Sequence, residues 1–332
     1  MAGVSNTVTR TIDNLLTSTW YDIRDGLIDQ VFKITPYWDK MFEKGRIKSR
    51  VPSGTHFEYS IRYEKADANT KWFGRSDTFG RAERETLTRM IYETRNLGTA
   101  IPRYWEDDLR NSGPAKILDY IEELLENTKM SLVDKLEVDS LTQNADPLAM
   151  NALPTLISTT PATGSIGGLD RSQNTWMTNQ TEDFSGKSID NDLLNSMMDM
   201  YNKCSEFKSG NQRTVDLILT TRQIYQDYET IAQALQTIET SSSIRASLGF
   251  GNLLYKNVEM FWSPNAPAGN MYFLNTETLE LPYNPNAWMH MTPWKEDVNG
   301  PDRAAQILCV LNQVCTNFQK NGVIHDITSN FS

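Results

Sequence analysis

Residues 55–63 read THFEYSIRY and residues 86–97 read TLTRMIYETRNL, and these two stretches decide the fold. Apolar and polar side chains alternate in the first stretch, which is the two-residue period of a half-buried strand. One face of that strand carries Phe57, Tyr59, Ile61 and Tyr63, and the other carries His56, Glu58, Ser60 and Arg62. The second stretch is a strand-like run, in which Leu87 and Ile91 lie on the face opposite to Met90 and Tyr92.

The segment between these strands, residues 66–85, is polar and contains Gly74 and Gly80. A connection of this length without a core of its own is unusual inside a compact domain. The sequence therefore predicts a hairpin that projects from the body and rests on another molecule.

The clearest predicted helix follows the hairpin and runs from Gly113-Pro114 to about residue 141, because proline is tolerated in a first turn. Its apolar stripe consists of Ile117, Ile121, Leu124, Leu125, Leu132 and Leu136. A helix of this length spans about 45 Å. The spacing mixes threes and fours without sustained heptads, which argues against a coiled coil.

The first 44 residues are polar and then amphipathic, with helical spacing of Trp20, Ile23, Leu27, Val31 and Ile34. Pro36 is expected to stop or kink this helix. The pattern fits an N-terminal arm lying on a neighbouring surface, and it fits an ordinary first helix equally well.

The remainder mixes both kinds of element, so the predicted fold class is α+β. Residues 145–188 are predicted to form loops and short strands. A helix is predicted over 190–204, with one side formed by Leu193, Leu194, Met197, Met198 and Tyr201. Another helix is expected after a cap at Thr220 or Thr221. The predicted strands cover residues 215–219, 258–262, 271–275, 278–281, 303–318 and 323–327, the last entered through an Asn321-Gly322 hairpin turn.

The composition limits the possible functions. The chain has 332 residues, a net charge of −10 and a pI near 4.9, which disfavours clamping of DNA phosphates. Eight Trp and thirteen Tyr suit extensive interfaces as well as a core. No apolar run is long enough to cross a membrane, and the start lacks the features of a secretion signal. Cys204, Cys309 and Cys315 form no CxxC pair and are expected to be buried small hydrophobic residues in a reducing compartment.

No motif predicts a catalytic, cofactor or metal site. The glycines of residues 164–168 are followed by Leu169-Asp170 instead of the lysine that a phosphate-binding loop requires. His56, His290 and His325 fit no metal-ligand pattern, and no GxSxG elbow is present.

Four local strings in this order resemble those of tailed-bacteriophage major capsid proteins of the Hong Kong 97 type. They are ETRNLGTAI at 93–101 leading to WEDD at 105–108, SIGGLDRS at 165–172 before NTW at 174–176, VDLILTT at 215–221, and YKNVE at 255–259. The resemblance covers nearly the whole chain. None of the strings is a catalytic signature.

The resemblance implies a Hong Kong 97-type capsid fold with an N-terminal arm, an extended β-hairpin loop, a peripheral domain with a long spine helix, and an axial domain. The arm would cover residues 1–49 and the extended loop 50–98. The peripheral domain would comprise 99–150 and 282–318, and the axial domain 151–281 and 319–332.

The implied function is that of a major capsid protein, not an enzyme. Copies would form pentamers and hexamers that close into an icosahedral shell around packaged double-stranded DNA, without sequence-specific binding. The implied partners are a separate scaffolding protein, since the chain starts almost directly with the arm, a portal and a decoration protein. Assembly would take place in the host bacterial cytoplasm, with no membrane involved. An encapsulin-like nanocompartment shell and an unrecognised enzyme are the alternatives.

Opposite charges suggest how neighbouring copies pair. The loop residues Arg75, Arg81 and Arg84 are expected to contact the acidic helix residues Asp119, Glu122, Glu123 and Glu126 of a neighbour. Lys71 lies near the loop tip and is a further contact candidate. Some relatives weld their subunits by a Lys–Asn isopeptide bond, but no partner motif for Lys71 is identified, so covalent cross-linking is not expected.

Overall fold

The computed structural model describes residues 36–64, 70–75, 77–78, 85–106, 114–206, 215–236, 254–296 and 302–331. Side chains are described from residue 124 onward in the helix that begins at Pro114, and up to residue 232 in the helix that ends at Gln236. The N-terminal arm is predicted for residues 1–49, and residues 1–35 of it lie outside the described ranges.

The α-helices in the described ranges are α1 (Pro36–Glu43), α2 (Pro114–Leu141), α3 (Leu153–Leu156), α4 (Ile189–Glu206) and α5 (Arg222–Gln236). The strands are β1 (Ile47–Ser49), β2 (His56–Arg62), β3 (Leu87–Glu93), β4 (Arg95–Arg103), β5 (Ser165–Ile166), β6 (Leu169–Asp170), β7 (Gln180–Asp183), β8 (Leu217–Thr220), β9 (Leu254–Tyr255), β10 (Val258–Trp262), β11 (Met271–Leu274), β12 (Leu279–Tyr283), β13 (His290–Met291), β14 (Lys295–Glu296), β15 (Arg303–Leu311), β16 (Val314–Cys315) and β17 (Gly322–His325). None of the helices in these ranges is long and apolar enough to cross a membrane.

The predicted hairpin is confirmed: β2 and β3 pair antiparallel from His56↔Glu93 to Arg62↔Leu87. The predicted faces are confirmed as well, because Met90 and Tyr92 are buried while Leu87 and Ile91 are exposed.

The strand-like run predicted over residues 86–97 is wrong in its extent. The chain leaves the hairpin at Thr94, and β4 pairs along its full length with β15, from Arg95↔Leu311 to Arg103↔Arg303. These two strands belong to a mixed sheet that also contains β1, β12, β13, β14 and β16. The long predicted strand at 303–318 is divided in the same way, into β15 and the short β16.

The long helix α2 is confirmed and packs against β4. Its described buried side chains are Leu125, Leu132, Val133, Leu136 and Leu141, in line with the predicted stripe. The predicted stripe residues Ile117 and Ile121 fall in the part of the helix whose side chains are outside the description.

A second sheet has the order β7-β17-β11-β8-β10-β9. The central strands β8 and β11 are buried at every position, so neither face of the sheet is exposed there. Alternate residues contribute to two different hydrophobic clusters: Leu217 and Leu219 to the cluster that includes α2, and Ile218 to the cluster that includes α4 and α5. This sheet therefore separates the two cores of the subunit.

Pro36 begins α1, which is consistent with proline's preference for the first helical turn. The helix that Pro36 was predicted to stop or kink lies outside the described residues. Helix α4 is confirmed, but Met198 is exposed, and its buried positions are Ile189, Leu193, Ser196, Met197, Met200 and Cys204.

The hairpin predicted at Asn321-Gly322 is wrong. Strand β17 does not pair with the preceding β16; it lies in the other sheet, between β11 and β7. The buried Asn321 side chain accepts a hydrogen bond from Asn275 N and donates to Thr278 Oγ1 and Asn317 O. A Cβ on Gly322 would overlap Met200 Sδ on α4, so glycine allows a close approach of strand to helix.

Candidate subunit-contact surfaces

The connection between β2 and β3 carries a strongly exposed aromatic pair. Trp72 is 100% exposed and Phe73 is 66% exposed. They are flanked by exposed Lys71 and Arg75. A tryptophan side chain this exposed is typical of an interaction site, because tryptophan buries a large area when it binds.

The base of the hairpin is fixed to the body by Glu280 on β12. This buried carboxylate accepts a hydrogen bond from Tyr59 Oη of β2 at 3.1 Å and from Lys48 Nζ of β1 at 2.5 Å. Arg50 Nη2 lies 3.3 Å from the same carboxylate, and its guanidinium stacks 4.3 Å above the Tyr59 ring. These contacts fix the β2 strand of the hairpin to the body of the subunit.

The structure places only some of the predicted contact residues. Lys71 and Arg75 lie exposed in the loop, and Glu126 is exposed on α2. Asp119, Glu122 and Glu123 lie on α2, but their side chains are outside the description, and Arg81 and Arg84 lie outside the described residues. The predicted pairing between copies stays a prediction.

A second buried carboxylate, Glu137 on α2, joins three elements that are distant in sequence. Its oxygens accept hydrogen bonds from Tyr37 N and Trp38 N at the start of α1, both at 3.3 Å, and from Ser263 Oγ after β10 at 3.0 Å. Burial, with a smaller contribution from the charge of Asp134, raises the pKa of Glu137 to about 7 although these donors act in the opposite direction.

A groove of about 930 Å³ opens beside this junction. Its walls come from the start of α1, the start of α5 and the chain from β10 onward. They include Pro36, Arg222, Tyr225, Met260, Trp262 and Pro264. Trp262 is 40% exposed, so part of a large aromatic surface faces this space. A concave surface that combines apolar and polar side chains in this way suits a peptide segment.

Asp183, His325 and Asp326 form the one group of potential metal ligands found among the described residues, with their ligand atoms within 4.8 Å of one another. His325 Nδ1 lies 2.7 Å from Asp326 Oδ2, and Asp183 accepts a hydrogen bond from Ser185 N. Hydrogen bonds to Ser185 lower the pKa of the Asp183 carboxyl below its usual range. These contacts account for the arrangement without a bound cation.

The glycine-rich stretch at residues 164–168 is a tight two-strand turn formed by β5 and β6. Gly167 and Gly168 adopt positive φ angles, and a Cβ on Gly167 would lie 3.1 Å from Met90 Cβ. The glycines thus let the turn pack on the hairpin.

Sequence reasoning missed Trp72-Phe73, Glu137, Glu280 and the groove. The aromatic pair could have been found, since it is an isolated apolar dipeptide within a polar loop. The two carboxylates had no comparable signal, because Glu137 binds residues about 100 and 126 positions away, and Glu280 binds residues more than 200 positions away.

The β2–β3 hairpin, the long helix and the two sheets together form an α+β architecture that is shared with shell-building proteins. The chain has the Hong Kong 97-type capsid fold, which is a shell-forming fold. The fold prediction is therefore confirmed.

Particular solved structures support this assignment. The chain is similar to the capsid subunit of cyanophage A-1(L), with a TM-score of 0.60 and 16% identity over 86% of this chain and 91% of the other. The capsid of Myoviridae phage XM1 has a TM-score of 0.56 at 10% identity, over 86% and 91% of the two chains. The holo-SrpI encapsulin of Synechococcus elongatus has a TM-score of 0.54 at 12% identity, over 89% and 88%. By sequence, the chain matches no protein-family model and no curated protein.

Proposed function

We propose that this chain is the major capsid protein of a tailed bacteriophage. Copies assemble into pentamers and hexamers, and these close into an icosahedral shell that encloses double-stranded DNA. The protein is not an enzyme, and the proposal includes no cofactor and no metal.

The observation that carries this proposal is a fully exposed tryptophan at the end of a hairpin whose base is fixed. A fully exposed tryptophan such as Trp72 is unfavourable on the surface of an isolated subunit. The Glu280 contacts hold the hairpin that carries it in place. In a closed symmetric shell every copy has the same neighbours, so the exposed tryptophan of each copy can be buried against a neighbouring copy. The fold shared with phage capsids supports the same function.

The proposed division of the subunit follows the family pattern. It consists of the arm at 1–49, the extended loop at 50–98, the peripheral domain at 99–150 and 282–318, and the axial domain at 151–281 and 319–332. A scaffolding protein, a portal and a decoration protein are the proposed partners. The packaged DNA is enclosed without specific contacts, in agreement with the net charge of −10. Assembly takes place in the bacterial cytoplasm, and the final location is the virion.

Contacts between copies are proposed to pair basic loop residues with the acidic face of α2. The loop supplies Lys71, Arg75, Arg81 and Arg84, and the helix supplies Asp119, Glu122, Glu123 and Glu126. Replacing Arg81 and Arg84 together by glutamate should lower particle yield at least tenfold. Restoration by Glu122→Lys with Glu123→Lys would identify the pairing, and unchanged yield of the first variant would refute it.

The experiment that tests the function is negative-stain electron microscopy of the purified chain, with light scattering to size the species. Icosahedral shells or rings of five or six copies are expected, and Trp72→Ser with Phe73→Ser should reduce them. A uniform monomer that persists after co-expression with the neighbouring genes of its operon would refute the proposal.

An encapsulin-like shell is the second candidate, because the S. elongatus encapsulin shares the fold. The contents of purified particles separate the two functions. Nuclease-resistant DNA together with a portal identifies a phage capsid, whereas an enclosed enzyme identifies an encapsulin.

A further inference from the structure

No segment among the described residues fills the groove beside Trp262. Met260, Phe261, Trp262 and Pro264 form one side of it, and Tyr225 of α5 contributes to the other. Its volume of about 930 Å³ exceeds what one side chain fills. Trp262 stays 40% exposed on the end of a strand whose alternate residues, Val258 and Met260, are buried.

The chain itself reaches this groove at Pro36. Pro36 lines the wall and is preceded by 35 residues outside the described ranges. The position of Pro36 is fixed, because Glu137 binds the next two backbone N–H groups and also binds Ser263, which lines the same groove. Any segment that directly precedes Pro36 therefore starts at the rim of the groove.

The sequence before Pro36 has the pattern that such a groove accepts. The apolar residues Trp20, Ile23, Leu27, Val31 and Ile34 recur at helical spacing. In a helix they fall on one stripe, and Asp22, Asp25 and Asp29 fall on the opposite face. An amphipathic helix that places its apolar stripe in a groove is a recurring mode of peptide recognition.

We propose that the groove lined by Trp262 binds the amphipathic segment at residues 20–35 of the same copy. Direct covalent connection at Pro36 gives this segment a high effective concentration at the groove, which favours it over a segment from another molecule. Trp262, Met260 and Tyr225 contact the apolar stripe, and the acidic face points to solvent. The inference concerns a single copy, so it does not require that the chain forms shells.

Photo-cross-linking of the full-length chain tests this proposal. p-Benzoylphenylalanine replaces Leu27 at the centre of the apolar stripe, and in a matched control it replaces Asp29 on the acidic face. The proteins are produced as mixtures of ¹⁴N- and ¹⁵N-labelled copies, and the cross-linked peptides are identified by mass spectrometry. The expected result is cross-linking from position 27 to residues 222–225 or 260–268 within copies of one isotope, and at least tenfold less from position 29.

Two tryptophan variants complete the design. Trp262→Glu should reduce the cross-link from position 27 at least tenfold and accelerate amide hydrogen exchange at residues 20–35. Trp105→Glu places the same charge at another exposed tryptophan, outside the groove, and should leave both measurements unchanged.

Three results would overturn the proposal. They are cross-links to a surface other than the groove, cross-links between copies of different isotope, and amide exchange at residues 20–35 that Trp262→Glu leaves unchanged. All of these measurements apply to a monomer as well as to a shell. A chain that fails to assemble but gives the expected cross-link would thus refute the proposed function and support the docking.

Discussion

Two regions of the subunit contain a buried glutamate, and the hydrogen-bond partners of the two carboxylates differ in charge. At the hairpin base, Glu280 has two cations and a tyrosine hydroxyl as partners. At the junction of α1, α2 and β10, Glu137 has only neutral donors: two backbone N–H groups and a serine hydroxyl. Two cations lie beside the buried carboxylate of Glu280, whereas at Glu137 the burial outweighs the hydrogen bonds and raises the pKa to about 7.

This difference in partners affects how strongly each junction depends on its glutamate. Lys48 and Arg50 are each about 40% exposed, so solvent can hydrate them if the glutamate is removed. The donors bound by Glu137 lie in buried surroundings, and the first two belong to the start of a helix, where no intrahelical acceptor is available. We therefore expect the Glu137 junction to be more sensitive to mutation and to pH than the hairpin base.

The largest expected effect comes from Glu137→Ala. The variant leaves three donors without their acceptor, so the free energy of unfolding at pH 6 should fall by about 4 kcal/mol. Urea unfolding of the dispersed subunit measures this change. Glu126→Ala, at an exposed position of the same helix, is the control and should change stability by less than about 0.5 kcal/mol. Equal losses in the two variants would contradict the role assigned to Glu137.

The next effect is the pH dependence that Glu137 contributes. Its pKa in the fold is about 7, above the ordinary value of 4.5, so the folded state binds more protons than the unfolded state between these values. The stabilisation is fully present below pH 4.5 and is lost as pH rises through 7, by about 3 kcal/mol in total.

Glu137→Gln isolates this effect, because glutamine does not titrate and all other groups are shared. The unfolding free energy of the wild type, relative to the Gln variant, should decrease from pH 4.5 to pH 8. A difference that is constant across this range, or that grows with pH, would show that Glu137 has no raised pKa in the fold.

At the hairpin base the effect of deletion is smaller. Glu280→Ala should lower the free energy of unfolding by about 2 kcal/mol, mainly because the hydroxyl of buried Tyr59 loses its acceptor while the two cations become hydrated. Urea unfolding at pH 6 gives the comparison with Glu137→Ala. A loss larger than that of Glu137→Ala would reverse the contrast between the two regions.

Tyr59→Phe is the mildest change in this series. It removes the hydroxyl but leaves both cations on Glu280, so the expected loss is about 1 kcal/mol. The same urea experiment measures it. A loss as large as that of Glu280→Ala would mean that the cations contribute nothing at this site.

The sequence predicted those parts of the fold that depend on local periodicity. The length of α2, the two faces of the β2–β3 hairpin and the buried cysteines all follow from patterns within a short stretch. Burial raises the pKa of all three thiols, to about 12 for Cys204 and Cys315 and about 11 for Cys309, as expected for cysteines that act as small hydrophobic residues.

Predictions failed where distant parts of the chain decide the local structure. Asn321-Gly322 has the composition of a hairpin turn, but the Asn321 amide is held by Asn275 and Thr278, and Gly322 is required by the proximity of α4. The candidate contact surfaces divide in the same way. The charges of the loop and of α2 are readable in the sequence, whereas the groove combines residues from α1, from α5 and from β10 with the chain that follows it, which are far apart in sequence.

The chain segments that cross between the two sheets also connect the sheets mechanically. Strand β15 lies in one sheet and β17 in the other, and only residues 312–321 separate them, including the short β16. Asn321 holds this connection through hydrogen bonds to the segment that joins β11 to β12, which crosses between the same two sheets. Tension on one sheet is therefore transmitted to the other through two crossings, which are joined by the Asn321 amide and by hydrogen bonds from Thr316 to Thr278 O. Shear between the two sheets would have to break the hydrogen bonds of Asn321 and of Thr316 together.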